Sequence, residues 1–316
     1  MKNISEEQIY KVLNEVYNKY KNITDGAPAS YIPELARVDA ELFAISITSV
    51  EGKTYHIGEV DKHFTMQSTS KPLMYGLALK THGSDFVHSK VGVEPTGEAF
   101  NSIIELEEKS HRPFNPMINS GAIATTSLVK GESFAEKFQN IKSYFELFVG
   151  SEIKVDEKVY YSEKMTAHRN RAIAYLMKHF DVMEADIEET LDLYFKQCSL
   201  LINCRDLSQV AATYANYGKN PISKKTVQSA VDAAKTLSLM FTCGMYDSSG
   251  EWAFSVGMPA KSGVSGAVFA VSPGRLGVAA FSPRIDSRGH SIRAQSAIKD
   301  LSDRLNLNIF QLGDPF

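Results

Sequence analysis

Cysteine is scarce in this chain. There are three, Cys198, Cys204 and Cys243, and no Cys-x-x-Cys pair among them. So small and odd a set makes no disulfide framework and no thiolate zinc site. No run of about 18 apolar residues occurs, which excludes a hydrophobic membrane-spanning helix. Neither sign of charge is in excess: 34 Lys and Arg stand against 37 Asp and Glu, a formal net charge of −3. Nucleic acid and acidic membrane surfaces both select a basic excess, so neither is expected as the main partner. The polar start Met1-Lys2-Asn3-Ile4-Ser5-Glu6-Glu7 is unlike a signal peptide. A reducing cytoplasm is the expected location. Several catalytic signatures are also missing. There is no Gly-x-Ser-x-Gly elbow, His-Glu-x-x-His pair, phosphate loop or dinucleotide fingerprint. The eight histidines are scattered singly, and His168 and His179 read as helix-surface residues rather than metal ligands.

What is present is an ordinary globular composition, 43% hydrophobic and 22% charged over 316 residues. That length supports one large domain or two medium ones. Ser5 and Gln8 have capping-box spacing, and Ile4 and Ile9 are placed as a hydrophobic staple. Ile9, Val12, Leu13, Val16, Tyr17 and Tyr20 continue at helical spacing. Leu42 to Val50 alternates, with Phe43, Ile45 and Ile47 on one side and Ala44, Ser46 and Thr48 on the other. A Glu51-Gly52-Lys53 turn and Thr54 to Gly58 complete a hairpin. Ala267 to Ser272, Pro273-Gly274 and Leu276 to Ser282 predict a second hairpin, and Ile292 to Leu305 a closing helix.

Between the hairpins the pattern is helical. Phe134, Phe138, Ile141, Phe145 and Phe148 form one stripe. Ile187, Leu191, Tyr194 and Cys198 form another, and Leu207, Val210, Ala211 and Tyr214 a third that stops at Gly218. Two-stranded hairpins are marginal alone, so both are expected in one antiparallel sheet covered by the terminal helices. The expected class is α+β, with an all-helical subdomain inserted into the sheet. The sheet part spans about 1–66 and 240–316, the helical part about 67–239, within one domain of 1–316. A cleft between the parts is the natural place for a site.

Ser68-Thr69-Ser70-Lys71 is a Ser-x-x-Lys. Pro72 is tolerated only in a first helical turn, so a helix is predicted to start near Ser68 or Thr69. Ser68 and Lys71 then lie one turn apart on one face. A lysine kept neutral by burial can take the serine proton and make a nucleophile without histidine. The bare motif is weak, because Ser127…Lys130, Ser151…Lys154 and Ser296…Lys299 match it too. Only Ser68 has the Pro72 start signal and an apolar run behind it. Lys261-Ser262-Gly263 directly precedes the second hairpin and by itself reads as a turn before a strand. Together with Ser68…Lys71 it matches the pair of motifs used by serine acyl-transfer enzymes of the penicillin-recognising type. There the N–H groups of the serine and of the residue after the Gly, here Ser68 and Val264, form an oxyanion hole.

Six motifs in order then carry a resemblance. They are Tyr31-Ile32-Pro33-Glu34-Leu35-Ala36, Gln67 to Lys71, Glu94-Pro95-Thr96-Gly97 through Phe100-Asn101-Ser102, Asn115 to Ile123, Cys243 to Asp247, and Pro259 to Val264. They resemble the serine-dependent glutaminases over about residues 25 to 310. The resemblance implies a β-lactamase-like fold, hydrolysis of L-glutamine to L-glutamate and ammonia, no cofactor, no metal, and a homo-oligomer, tetramer or dimer. It implies catalytic roles for Ser68, Lys71 and Tyr246, with Lys261, Ser262 and Gly263 in support. It implies substrate contacts at Tyr31, Gln67, Asn119, Glu163, Asn170, Tyr194, Tyr246 and Val264. Glu163 would pair with the substrate ammonium, and Asn119, Asn170 and Tyr194 would serve its carboxylate. Whether Tyr246 or Tyr31 relays the proton stays open. Ser120 departs from the family's usual Ala, and Ser265 and Ala267 break its glycine run. Two rival readings remain: another Ser-Lys acyl hydrolase acting on lactams or esters, and a silent ligand-binding module on the same fold.

Overall fold

The structure, a computed structural model, describes residues 5–97, 102, 106 and 111–311. Ile4 of the predicted staple and Phe100 and Asn101 of the third motif lie outside the described residues.

Among the described residues eight strands run β1 Ala44–Ser49, β2 Thr54–Gly58, β3 Phe64–Thr65, β4 Lys154–Val155, β5 Leu200–Ile202, β6 Ala260–Ser262, β7 Ala267–Ser272 and β8 Leu276–Phe281. The helices used below are α1 Glu6–Tyr20, α2 Lys71–His82, α3 Asn119–Thr126, α4 Phe134–Val149, α5 Glu157–Thr166, α6 His168–His179, α7 Ile187–Cys198, α8 Cys204–Ala215 and α9 Ile292–Leu305.

The two predicted hairpins join as expected. The main sheet has the order β2-β1-β8-β7-β6, and each neighbouring pair is antiparallel. The seam is β1 on β8, from Ala44 opposite Phe281 to Ser49 opposite Leu276. Ser5 Oγ accepts from the Gln8 N–H at 3.1 Å and starts α1. The α1 stripe of Ile9, Leu13 and Val16 then packs with Ile298 and Leu301 of α9 over Ile45, Ile47, Val268 and Val278. Each such side chain contributes about 1.5–3 kcal/mol when fully buried.

The other face of the sheet is also covered. Leu207, Val210, Ala211 and Tyr214 of α8 meet Phe269, Val271, Ala279 and Phe281 there. The polar side of β1 is thus buried, and Ser46 and Thr48 both reach Ser208 Oγ, at 2.9 and 2.7 Å. A second, three-stranded sheet, β3-β5-β4, was not expected. The predicted start at Ser68 or Thr69 is also refined: Gln67–Ser70 is a 3-10 turn, and α2 begins at Lys71 with Pro72 in its first turn. That turn abuts β6, because a Cβ added to Gly263 would lie 3.2 Å from Met66 O and 3.4 Å from Thr69 N. The serine motif and the Lys-Ser-Gly strand therefore meet where the sheet joins the helices.

Candidate active site

The Gln67–Ser70 turn is pinned from within. Thr69 Oγ1 donates to Met66 O at 2.6 Å and Ser70 Oγ to Gln67 O at 2.7 Å. It is supported from outside by Gln197, whose Nε2 donates to Ser70 Oγ at 3.1 Å. Gln67 adopts φ +47 and Tyr246 φ +51, the left-handed region that costs a non-glycine residue about 1–3 kcal/mol. Strain of that size persists only where the surroundings over-determine it.

Lys71 is fully buried, and its Nζ donates to Asn119 Oδ1 at 2.7 Å. Loss of hydration lowers the lysine to about 8, with Glu163 among the groups opposing that shift. Asn119 opens α3, and its Oδ1 also accepts from the Tyr194 hydroxyl at 3.3 Å. Its Nδ2 donates to Asn170 Oδ1 at 3.0 Å. Glu163 on α5 is buried and accepts from Gln67 Nε2 at 3.4 Å. Burial pushes this carboxyl up to about 8, against the opposing pull of the Gln67 bond and the Lys71 charge.

Tyr31, Gln67, Ser68, Asn119, Glu163, Asn170 and Tyr194 share the wall of one cavity of about 310 Å³. Tyr31 is half-exposed as a residue, but its phenol is buried near Tyr246 and Glu163, and burial pushes it well above the usual tyrosine range. Behind the cavity lies Tyr246. Its hydroxyl donates to Ser262 O at 3.2 Å and lies near the Ser68 side chain, and burial pushes the phenol up to about 12. Lys261 is buried beside that ring, its Nζ 4.1 Å from the Tyr246 centroid. It donates to Gly244 O at 2.9 Å and Ser262 O at 2.8 Å, and burial, then the Lys71 charge, hold it well below the usual lysine range.

Val264 follows Gly263 and is buried against Ile32 and Val159, on the wall of a neighbouring cavity rather than of this one. Among the described residues, neither the Ser68 nor the Val264 N–H donates to a backbone carbonyl. The residues expected together are therefore brought together, with Lys71, Tyr246 and Lys261 behind the cavity and Val264 beside it. A larger cavity, about 490 Å³, lies between α2 and α4 and is lined by none of them.

Sequence reasoning missed three neighbours. Arg169 lines the cavity next to Asn170. Cys198 is a buried thiol near Lys71, Glu163 and Tyr194. His290 stacks on Tyr246. Cys198 continues the Ile187, Leu191, Tyr194 stripe, which foretells its burial but not its place at the site, and no local pattern marks Arg169 or His290. His168 and His179 are exposed on α6, as expected. Among the described residues no cluster of His, Cys, Asp or Glu could hold a metal ion.

The chemistry available is that of a serine hydroxyl next to a phenol, a neutralisable lysine one turn away, and a buried carboxylate across the cavity. Comparison with known proteins agrees. The sequence profile of the glutaminase family matches residues 26–310. A glutaminase of Nostoc is 49% identical over 98% of this chain and 92% of its own length. Glutaminase 2 of Clostridium perfringens is 48% identical over 93% of this chain and 97% of its own. Among solved structures, the probable glutaminase ybaS superposes with a TM-score of 0.95 at 37% identity, covering 98% of this chain and 100% of that one. A probable glutaminase from Bacillus subtilis, complexed with 6-diazo-5-oxo-L-norleucine, has a TM-score of 0.86 at 35% identity, covering 96% of each chain. By its sequence, its β-lactamase-like fold and its motifs, this chain belongs to the glutaminase family.

Proposed function

We propose that the chain hydrolyses L-glutamine to L-glutamate and ammonia through an acyl-enzyme on Ser68. The observation that carries this reading is that Ser68 and the buried Glu163 face one cavity of about 310 Å³. An amide at one end of the substrate and an ammonium at the other match those two groups. Asn170 and Tyr194, with Asn119 between them, are placed to meet the carboxylate, and Tyr31 to close over it.

Neutral Lys71 takes the Ser68 proton as Oγ attacks the amide carbon. The N–H groups of Ser68 and Val264 receive the oxyanion. The carbon–nitrogen bond then breaks. The departing nitrogen takes a proton from Tyr246, which Lys71 restores. Water adds to the γ-glutamyl ester, and its proton returns to Ser68 Oγ. The nearness of the Tyr246 hydroxyl to the Ser68 side chain favours Tyr246 as the relay. Lys261 holds the Ser262–Gly263–Val264 backbone through its two carbonyl bonds.

The working unit is the sheet part, about 1–66 and 240–316, with the helical part, about 67–239, and the site between them. Three buried free cysteines suit a reducing cytoplasm. Among the described residues no helix is long and apolar enough to cross a membrane. The family resemblance points to a homo-oligomer. A lactam or ester hydrolase would have no substrate ammonium to set against Glu163. Ammonia release from glutamine, run beside nitrocefin and ester turnover, tests the reading. Turnover confined to glutamine is expected, and turnover of nitrocefin or esters alone would overturn it.

A further inference from the structure

His290 is buried, 1% exposed, and its imidazole stacks on the Tyr246 ring with centroids 5.0 Å apart and planes 26° from parallel. Its Nδ1 lies 3.1 Å from Ser262 Oγ. Ser262 is also the residue whose carbonyl accepts from the Tyr246 hydroxyl. His290 therefore touches the ring of Tyr246 directly and the anchor of its hydroxyl through one hydrogen bond.

The histidine is itself rigidly held. Asp286 Oδ1 accepts from the Arg288 and His290 N–H groups at 2.9 and 3.0 Å, and the Asp286 N–H donates to His290 O at 2.8 Å. Gly289 supplies the φ of +86 that this tight turn requires. The next residue, Ser291, caps α9 by accepting from the Ala294 N–H, and its hydroxyl donates to Ser282 O at 2.6 Å. The imidazole thus projects from a backbone fixed on both sides. Tyr246, by contrast, begins a short 3-10 turn in a strained conformation, so its orientation needs support from outside its own segment.

We propose that His290 is a positioning residue for Tyr246. Its stacked, Ser262-anchored ring sets the plane of the phenol so that the hydroxyl stays between Ser68 and Ser262. This rests on the reading that Tyr246 moves a proton at Ser68. Burial lowers the imidazole to about 4, so the stack is that of a neutral ring. Neutral stacking of this kind is geometry-dependent, which is what a positioning role needs.

The test is kcat and KM for glutamine in wild type, His290→Ala, His290→Phe, Tyr246→Phe and the double variant His290→Ala/Tyr246→Phe, each shown folded by thermal melting. His290→Ala is expected to lower kcat about fivefold to tenfold and to leave KM within about twofold. His290→Phe keeps the stack and should recover most of the loss. In the Tyr246→Phe background, His290→Ala should change kcat by less than about twofold, because the group it positions is gone. Unchanged kcat in folded His290→Ala, or an effect that persists in full in the Tyr246→Phe background, would overturn the proposal. Wild-type kcat in Tyr246→Phe would instead remove the proton-transfer reading, and the proposal with it. If His290→Ala does not fold, His290→Phe and His290→Asn decide: stacking predicts the Phe variant to be the more active, and the reverse order refutes it.

Discussion

Replacing Glu163 by Gln separates two quantities that the structure ties to one carboxylate. Burial moves this group from 4.5 to about 8. At about 1.4 kcal/mol per pH unit, ionising Glu163 in the empty folded site costs up to about 5 kcal/mol. The sign follows from proton counting. Between about pH 4.5 and 8 the folded state holds a proton that the unfolded state has lost, so stability falls as pH rises through that window. A glutamine amide in its place does not titrate and has no such dependence. The Glu163→Gln protein should therefore gain stability relative to wild type as pH rises, by several kcal/mol near pH 9 compared with near pH 5. Binding should move the other way. The lost charge-assisted contact to the substrate ammonium is worth on the order of 1.5–3 kcal/mol, roughly tenfold to a hundredfold and more in affinity. The assays are urea unfolding at the two pH values, and turnover of glutamine against the des-amino analogue glutaramate. Wild type should prefer glutamine strongly, and the mutant should lose most of that preference. A pH-independent stability difference would mean that Glu163 is not desolvated. An unchanged preference in a folded mutant would mean that it is not the ammonium receptor.

Lys71 must be neutral to accept a proton, so kcat/KM should fall as pH drops below about 8. Lys71→Arg, which keeps a cation that does not deprotonate, should be inactive at every pH tested; a flat pH–rate profile in wild type would count against the role. Gly263→Ala places a Cβ 3.2 Å from Met66 O and from Thr69 Cγ2, so the serine turn must shift by a few tenths of an ångström. Kinetics and denaturation together should give a kcat lowered roughly tenfold with a stability loss under about 1.5 kcal/mol. Gly121→Ala puts a Cβ 1.9 Å from Asn115 O, a backbone clash inside the helix that carries Asn119. Chemical denaturation should register a loss of about 2 kcal/mol or more, and a neutral result would mean that the backbone there yields to a methyl group.

The sheet was legible because its signals are local. Alternation in Leu42 to Val50, the turns at Gly52 and Pro273-Gly274, and the stripe of Ile292 to Leu305 each fall within one element. Strands β3, β4 and β5 are two or three residues long, shorter than any period that could betray them. Burial of Ser46 and Thr48 was hidden for a different reason: their partner, Ser208, lies some 160 positions away. The site divides the same way. Ser68 and Lys71 carry a local signal in Pro72 and the apolar run after it. By themselves Glu163 reads as a helix-start residue and Asn170 as a solvated one, and only the family spacing singles them out. His290 and Arg169 have no spacing relation to the motifs, and folding alone brings them to Tyr246 and to the cavity.

The covalent role of Ser68 is tested most directly by stopping turnover in acid and mapping the protein by mass spectrometry. The mechanism predicts a γ-glutamyl ester on the peptide carrying Ser68 in wild type, and no adduct and no ammonia release from a folded Ser68→Ala protein. An adduct on another residue, or a folded Ser68→Ala protein that turns glutamine over at close to the wild-type rate, would contradict it.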